Sequence, residues 1–347
     1  MKRARTSLVR GGRGPRELPQ ALLELCGARR DSASFRRELR EPLAQLIAFD
    51  AYCVNTVDPE TLVITSSIGD GLSAAAARRL FEIEEAGVDF NQLAALAQGP
   101  CHVATLWRAT RGRVEHSARM RELFLPLGWH DELRAALVVD GSCWGYLHLF
   151  RGAGRAPFAE RDLARIELAR PLLAAALRAA CLVGHDASAA KAPGLLLLDA
   201  AGEIVVESAA ARGWLDACAG DVGGAVPHSV HVLGARLRGS APCATPMARY
   251  RTPAGSWLAF HASQVGEGTA LLLGSAHASE LTSLLFLAHG LTPREREVGA
   301  LMLRGLGNQA IASKLGLALH TVKDHVKAIL EKSGAPSRAS FAAKCAT

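Results

Sequence analysis

In the run HTVKDHVK near the C-terminus, two lysines, a carboxylate and imidazoles recur at intervals of one to four residues. At about 100° per residue, His320, Lys323, Asp324 and Lys327 gather within an arc of roughly 100°, with Thr321 at its edge. Val322, Val326, Ile329 and Leu330 fall on the opposite side, where they would plug a core. Such an arc can donate hydrogen bonds to anionic oxygens through its lysines and accept one from an amino group at its carboxylate. On an isolated helix the same pattern is an ordinary solvated face, so the neighbouring elements decide what it does.

Those neighbours form a recognisable sequence of starts and stops. Thr292 can cap a helix whose first turn holds Pro293 and Glu295, which combines a capping box with a proline where no amide donor is missed. Val298, Leu301 and Met302 share one face of that helix, and Gly305 closes it. A second helix from about Asn308 to Leu315 should bury Ile311 and Leu315, Gly316 supplies a tight turn, and a third helix starts near Leu319. Two short helices across a glycine-containing turn of about three residues make a helix-turn-helix, which sets the later helix in the major groove of double-stranded DNA. From Thr292 onward nine arginines and lysines face Glu295, Glu297, Asp324 and Glu331, leaving +5 of the chain's formal +7. The electrostatic footprint therefore sits where the motif sits.

Residues 291–344 resemble a LuxR-type helix-turn-helix domain, with LTPREREV, IASKLGL, HTVKDHVKAILEK and SRAS in register. The resemblance implies a four-helix DNA-binding domain that works as a dimer on a two-fold operator. It places Lys323, Asp324 and Lys327 at the groove and Thr321 near phosphate, and makes the last helix, from Arg338, a dimer contact. Two positions depart from the family pattern. A polar cap before the second helix, with Glu three residues on, is replaced by Gly307 and Ala310, and the Ser or Thr before the third helix by Ala318. Losing a serine cap to alanine costs on the order of 1 kcal/mol, and to glycine a few tenths.

A chain of 347 residues that is 49% hydrophobic and 21% charged should form two or three soluble domains. The reading is of a multidomain α+β protein. Residues 1–30, basic and glycine-rich at first, read as a flexible arm. Residues 31–185 resemble a GAF sensor domain of α/β type: an opening helix, the paired runs of AYCVNTVDPETLVITSS, a hairpin at Asp140-Gly141 and a closing helix from Phe158 to Val183. Pro171 should kink or split that last helix. Residues 186–277, after the small-residue stretch Ala187 to Pro193, resemble an antiparallel PAS-like domain, opening on GLLLLDAAGEIVVES but with little of the helical cassette usual there. Residues 278–347 are a linker helix followed by the all-α, four-helix DNA-binding domain. The apolar stripes Leu172 to Val183 and Leu281 to Leu287 are candidate dimer surfaces, and Trp107, Trp144, Tyr146 and His148 are candidate liners of a ligand pocket.

Other chemistries find little purchase. No apolar run reaches the roughly 20 residues of a membrane span, and no signal-peptide core follows the basic start, so a cytoplasmic protein is expected. The eight cysteines are scattered without a C-x-x-C pair, and His228-x-x-His231 lacks nearby Cys or acidic partners, so a loop or strand role is expected there and no metal. There is no P-loop, no receiver-domain arrangement, no catalytic signature, and no evident pattern of an acyl-homoserine-lactone receptor; no cofactor or catalytic residue is expected. The composite is a sequence-specific transcription regulator whose partners are double-stranded DNA and a second copy of the chain, with RNA polymerase and an unidentified small molecule as further candidates and no membrane. Two alternatives stay open: a sigma-type polymerase subunit, which would need polymerase-binding helical regions upstream, and an enzyme carrying an attached DNA-binding domain.

Overall fold

The computed structural model describes residues 17–70, 72–183, 192–218, 228–238, 247–252 and 255–346. Most of the expected arm lies outside this range, but its end is not an arm. Gln20–Gly27 form a helix, α1, whose Leu22 and Leu25 are buried, because the apolar run ALLELC supplies a face that the glycines before it lack. Helices α2 (Ser32–Glu38) and α3 (Arg40–Leu46) follow, then strands β1 (Ala51–Val57) and β2 (Ile64–Gly69). In the turn between the strands, the Asp58 carboxylate accepts from the Glu60 amide at 3.0 Å, an Asx turn that fixes the reversal. Helices α4 (Ala74–Glu85) and α5 (Leu93–Gln98), strand β3 (Val103–Thr105) and helix α6 (Leu106–Ala109) come next, followed by short 3-10 turns at Val114–His116 and Leu125–Leu127 and a π-helical turn at Met120–Phe124. The long strands β4 (Trp129–Val139) and β5 (Ser142–Gly152) then pair through the expected hairpin. Asp140 and Gly141 both have positive φ, +49° and +74°, as this turn requires.

Helix α7 (Glu160–Ala180) closes the unit and runs unbroken through Pro171. The expected split does not occur. The proline sits on the exposed side, while Ile166, Ala169, Leu173, Ala174 and Leu177 before and after it hold the helix to the sheet. The five strands lie in the antiparallel order β2-β1-β5-β4-β3. One face, with Val54, Leu133, Ala135, Leu147 and Leu149, packs on α1, α3 and α7. Gly145 makes the crossing possible, since a β-carbon there would lie 2.2 Å from the Asn55 carbonyl and 2.7 Å from Leu177.

The opposite face carries a buried ionic cluster among its apolar residues. Glu132 is fully buried and accepts from Arg119 Nε at 2.7 Å, Arg134 Nε at 2.8 Å and His148 Nδ1 at 3.0 Å. Arg134 also donates to Glu84 at 2.7 Å, and Arg119 to the Phe90 carbonyl at 2.8 Å. Burial pushes the Glu132 carboxyl up, but the two guanidinium groups and His148 outweigh it and leave it well below the usual carboxylate range. Burial likewise lowers His148, against its bond to Glu132.

A second sheet repeats the first. Strands β6 (Gly194–Leu198) and β7 (Ile204–Glu207), helices α8 (Ala209–Ala217) and α9 (His228–Arg238), and strands β8 (Met247–Arg251), β9 (Trp257–Val265) and β10 (Gly268–Ser275) give the order β7-β6-β10-β9-β8. Within each sheet that is second, first, fifth, fourth, third. The helix α9 corrects two expectations: the middle of this region does carry helix, and His228 and His231 lie on it rather than in a loop or strand. Its β-branched residues and Gly234 mask the helical period. Val230, Val232 and Leu233 of α9 are buried between the two sheets, in one cluster that joins Ile64, Phe81 and Leu93 to Phe260 and Leu271. Arg236 of the same helix donates to Glu85 at 3.0 Å and to the Thr61 carbonyl at 2.5 Å. Much of the stretch read as a linker, Ala187 to Pro193, lies outside the described residues.

Where the sheets meet, Arg249 of β8 clamps Asp58, donating through Nε at 2.7 Å and Nη2 at 2.6 Å, with both side chains buried. The same guanidinium donates to the Glu280 carbonyl at 2.8 Å and to Ser283 at 3.2 Å on helix α10 (Ala278–Ala288). Leu281, Leu284 and Leu285 of α10 are buried within the chain, as are Leu173, Ala174, Ala176, Leu177 and Ala180 of the stripe Leu172 to Val183, so most of both stripes expected as dimer surfaces is already covered. Four helices complete the fold: α11 (Pro293–Leu303), α12 (Asn308–Leu315), α13 (Leu319–Ser333) and α14 (Arg338–Ala346). The architecture is mixed α/β, with two antiparallel sheets and a C-terminal helical domain.

Removing one partner of a buried ion pair typically costs about 3–5 kcal/mol, because the others stay buried and charged. Glu132→Gln should therefore lower the stability of the folded chain by about 3 kcal/mol or more, read as a shift of the urea midpoint at pH 7. A midpoint within error of the unsubstituted protein would mean that the guanidinium groups of Arg119 and Arg134 are solvated.

Candidate nucleic-acid interface

The helices around the polar arc are held by their own charges. Thr292 Oγ1 accepts from the Glu295 amide at 3.3 Å, and the Glu295 carboxylate accepts from the Thr292 amide at 2.7 Å, closing the expected capping box. The same carboxylate takes Lys332 Nζ at 2.6 Å, which ties the start of α11 to the end of α13. Burial pushes the Glu295 carboxyl up, and the bonds from Lys332 and Thr292 outweigh it, so it sits below its ordinary value. Arg294 donates to the Leu315 carbonyl at 3.0 Å, Arg338 to the Leu306 carbonyl at 2.8 Å, and Lys344 to the Ser333 carbonyl at 2.8 Å. Four of the nine basic residues counted in the sequence thus serve the fold.

Helix α12 ends at Gly316, whose φ of +64° is the left-handed conformation expected of that turn. Ile311 is buried, whereas Leu315, expected in the core, is only half-buried at the helix end. Neither Gly307 before α12 nor Ala318 before α13 makes a side-chain cap. The first amides of α13 therefore keep unused donor capacity at the positive end of its dipole.

On α13, Val322, Val326 and Ile329 are buried against Phe286, Val298, Leu301 and Phe341, and Leu330 packs at the edge. His320, Lys323, Asp324 and Lys327 are exposed on the other side and Thr321 is half-buried. Lys327 lies 3.8 Å from Glu331 in an exposed pair one turn on, worth only about 0.3–0.5 kcal/mol. Asp324 forms no ion pair with His320 or Lys327 among the described residues. A shallow depression beside α13 is lined by Asn308, Lys323, Val326, Lys327, Leu330 and Pro336. Sequence spacing along α13 could not include Asn308 or Pro336, which arrive from other elements.

The four aromatic candidates of the N-terminal half separate. Trp107 is exposed on α6, and Tyr146 is buried in the core between the sheets. His148 lines a cavity of about 50 Å³ with Asn55, Ser67, Glu84 and Arg134. Trp144 lines another cavity, at the seam between the sheets. Arg119, Glu132 and Arg134 were not expected at any site, because isolated charges in strands and loops carry no period. Among the described residues no cluster of three or more His, Cys, Asp or Glu could hold a metal ion, and no helix is long and apolar enough to cross a membrane.

Residues 289–344 match the family model of bacterial regulatory proteins of the luxR family. The C-terminal helices are thus a LuxR-family helix-turn-helix domain, and the rest of the chain lies outside the match. No curated protein matches the chain. Among solved structures, it is similar to the VqsR LBD domain from Pseudomonas aeruginosa, at 19% identity over 47% of this chain and 94% of that one, with a TM-score of 0.33. SdiA from Escherichia coli is 14% identical, with 94% and 93% covered and a TM-score of 0.33. The E. coli DhaR(N)–DhaL complex is 14% identical, with 74% and 87% covered and a TM-score of 0.23. Likenesses this distant carry no inference about the chain.

The lowered Glu295 carboxyl gives a pH signature. Its contribution is present above the unfolded carboxylate range, near 4.3, and is lost as pH falls through the lower folded value. Glu295→Gln should cost about 1–2 kcal/mol at pH 7, and the difference should shrink as the pH is taken below about 4. Denaturation midpoints of both proteins across pH 3–7 measure this, and a pH-independent gap would show that the carboxylate's charge contributes nothing.

Proposed function

We propose that this chain is a sequence-specific, double-stranded DNA-binding transcription regulator, with residues 31–185 as a GAF-like and 186–277 as a PAS-like sensory part, acting as a homodimer. The observation that carries the reading is the exposed arc of α13, set behind a glycine turn in a luxR-family domain. Lys323 and Lys327 neutralise phosphate or reach a base edge, Thr321 and the uncapped first amides of α13 bind phosphate, and His320 flanks them. Asp324, unpaired among its neighbours, accepts from a cytosine amino group, a contact worth about 1–3 kcal/mol of discrimination. A sigma-type subunit would need polymerase-binding helical regions where this chain has two antiparallel sheets. RNA polymerase is a partner on the promoter in this reading, and no catalytic role is assigned.

Full-length protein should bind its operator with affinity that falls steeply with salt, by about 0.9 in log–log slope per phosphate neutralised. Lys323→Ala and Lys327→Ala should each weaken binding, with the slope reduced by about one if the lysine meets phosphate alone. Asp324→Ala should relax preference at one base pair across a panel of singly substituted operators. Uniform tightening on every sequence would instead make Asp324 a mere repulsive charge, and salt-independent affinity would remove the DNA-binding reading altogether.

The homodimer has a surface to use. With α7 and α10 covered, the outer face of the second sheet still exposes Leu195 at 40%, Val206 at 46% and Leu272 at 48%. Leu195 and Leu272 are direct cross-strand partners, which makes one contiguous apolar patch. Leu272→Arg should shift light-scattering mass toward the monomer and lower operator affinity. A chain that is monomeric on DNA before any substitution would exclude the dimer.

A further inference from the structure

A helix lying in the major groove has a sugar–phosphate strand on each side of it, and contacts to those strands fix its register. About the line of Asp324 and Lys327, Thr321 falls about 90° to one side of α13, and Lys323 and Leu330 fall about 70–90° to the other. Thr321 and the first amides of α13 serve the first side. On the second lies the shallow depression beside α13. Its lining is apolar at Val326, Leu330, Ala335 and Pro336 and charged at Lys323, Lys327 and Glu331, the last 3.8 Å from Lys327. Asn308, half-buried at the start of α12, is the one neutral polar side chain of that lining among the described residues. Its orientation is imposed from behind. Arg338 of α14 donates to the Leu306 carbonyl at 2.8 Å and, through the other nitrogen of its fork, to Asn308 Oδ1. A guanidinium only donates, so it selects the amide oxygen and turns the two N–H donors of Nδ2 the other way. Among the described residues Nδ2 makes no hydrogen bond within the chain, and the first turn of α12 holds no carboxylate.

We propose that Asn308 binds a DNA phosphate on the side of α13 opposite Thr321, with Arg338 as the residue that positions its amide. The contact rests on the DNA-binding reading above and extends it from α13 to α12. A helix-turn-helix lays its first helix across the backbone, and here the start of α12 delivers Asn308 to the same depression as Lys323 and Lys327. The lysines supply charge to the phosphate, Nδ2 donates to one of its oxygens, and the apolar lining meets the adjoining sugar. Donors on both sides of α13 hold it against rolling about its axis, a motion that would swing Asp324 and Lys327 off the base edges. Asn308 itself reads no base; it sets the angle from which the others read. As a neutral donor it also differs in kind from a lysine, because it displaces no counterion from the DNA.

The test uses the full chain and a duplex selected from random sequence by the unsubstituted protein, with a panel of its single-base variants. Asn308→Ala should weaken binding about threefold to tenfold on every duplex alike, with the log–log salt slope unchanged. Asn308→Asp keeps an oxygen for Arg338 but replaces the donor by a charge that repels phosphate, so it should bind more weakly still. Affinity of Asn308→Asp equal to or above that of Asn308→Ala would make Asn308 a partner for Arg338 and nothing more, and would overturn the phosphate contact. Unchanged affinity of Asn308→Ala, or a loss confined to one base pair, would overturn it as well. Urea midpoints show whether each variant is folded; if Asn308→Ala is not, Asn308→Asp against the unsubstituted protein carries the test, and equal affinities overturn the contact. Arg338→Lys keeps the charge and loses the fork. It should weaken binding by the unsubstituted chain and cost nothing further in the Asn308→Ala background, and additive losses would overturn the positioning role. Binding that depends on Lys323 but not on Asn308 removes this contact alone, whereas no duplex binding by the unsubstituted chain removes the DNA-binding reading with it.

Discussion

Everything around the seam is positioned by one buried pair, Asp58 with Arg249. Asp58 shapes the turn between β1 and β2 with one oxygen while both oxygens hold a guanidinium from β8, and that guanidinium reaches on to α10. Two desolvated charges bring little net stability, since the cost of removing them from water offsets their attraction. Their effect is geometric. The paired forks admit one register between a hairpin turn, an edge strand and a helix that lie 191 residues or more apart or 31 residues apart in sequence. The burial of the α10 stripe follows from that register.

The second constraint is the sharing of apolar surface through α9. Both faces of the first sheet are buried, one by its own helices and the other partly by α9 and the second sheet. The ionic cluster of Glu132 sits on this second face, where its carboxylate takes both guanidinium groups and His148, while the Nη2 atoms of Arg119 and Arg134 are buried without a hydrogen-bond partner. The LuxR-family helices are organised differently. Their core of Val298, Ile311, Val322, Ile329 and Phe341 is local, and Phe286 of α10 is its main link to the rest.

Legibility in the sequence tracked this difference. The capping box at Thr292, the turn at Gly316 and the two faces of α13 were readable because helix period and glycine conformations act over a few residues. Asp140-Gly141 was readable for the same reason. What could not be read depends on partners distant in the chain. Pro171 does not interrupt α7 because the sheet holds the helix on both sides of it, and α9 was hidden because its buried residues face two different surfaces. The apolar stripe of α10 looked equally suited to a partner chain or to this one. At the candidate site, the exposure of His320, Lys323, Asp324 and Lys327 followed from spacing, whereas the inward use of Arg294, Lys332, Arg338 and Lys344 needed three-dimensional neighbours.

The common core between the sheets also governs how the chain tolerates being cut. Severing it in the stretch before β6 would leave Val57, Ile64, Ala77, Phe81 and Leu93 without their cover from α9, turning the inside of one piece into a sticky surface. A fragment ending there is prone to aggregate however well its own strands pair, and the complementary fragment loses the other half of the same interior. Proteolytic dissection that follows the sequence's small-residue stretches would then yield insoluble halves.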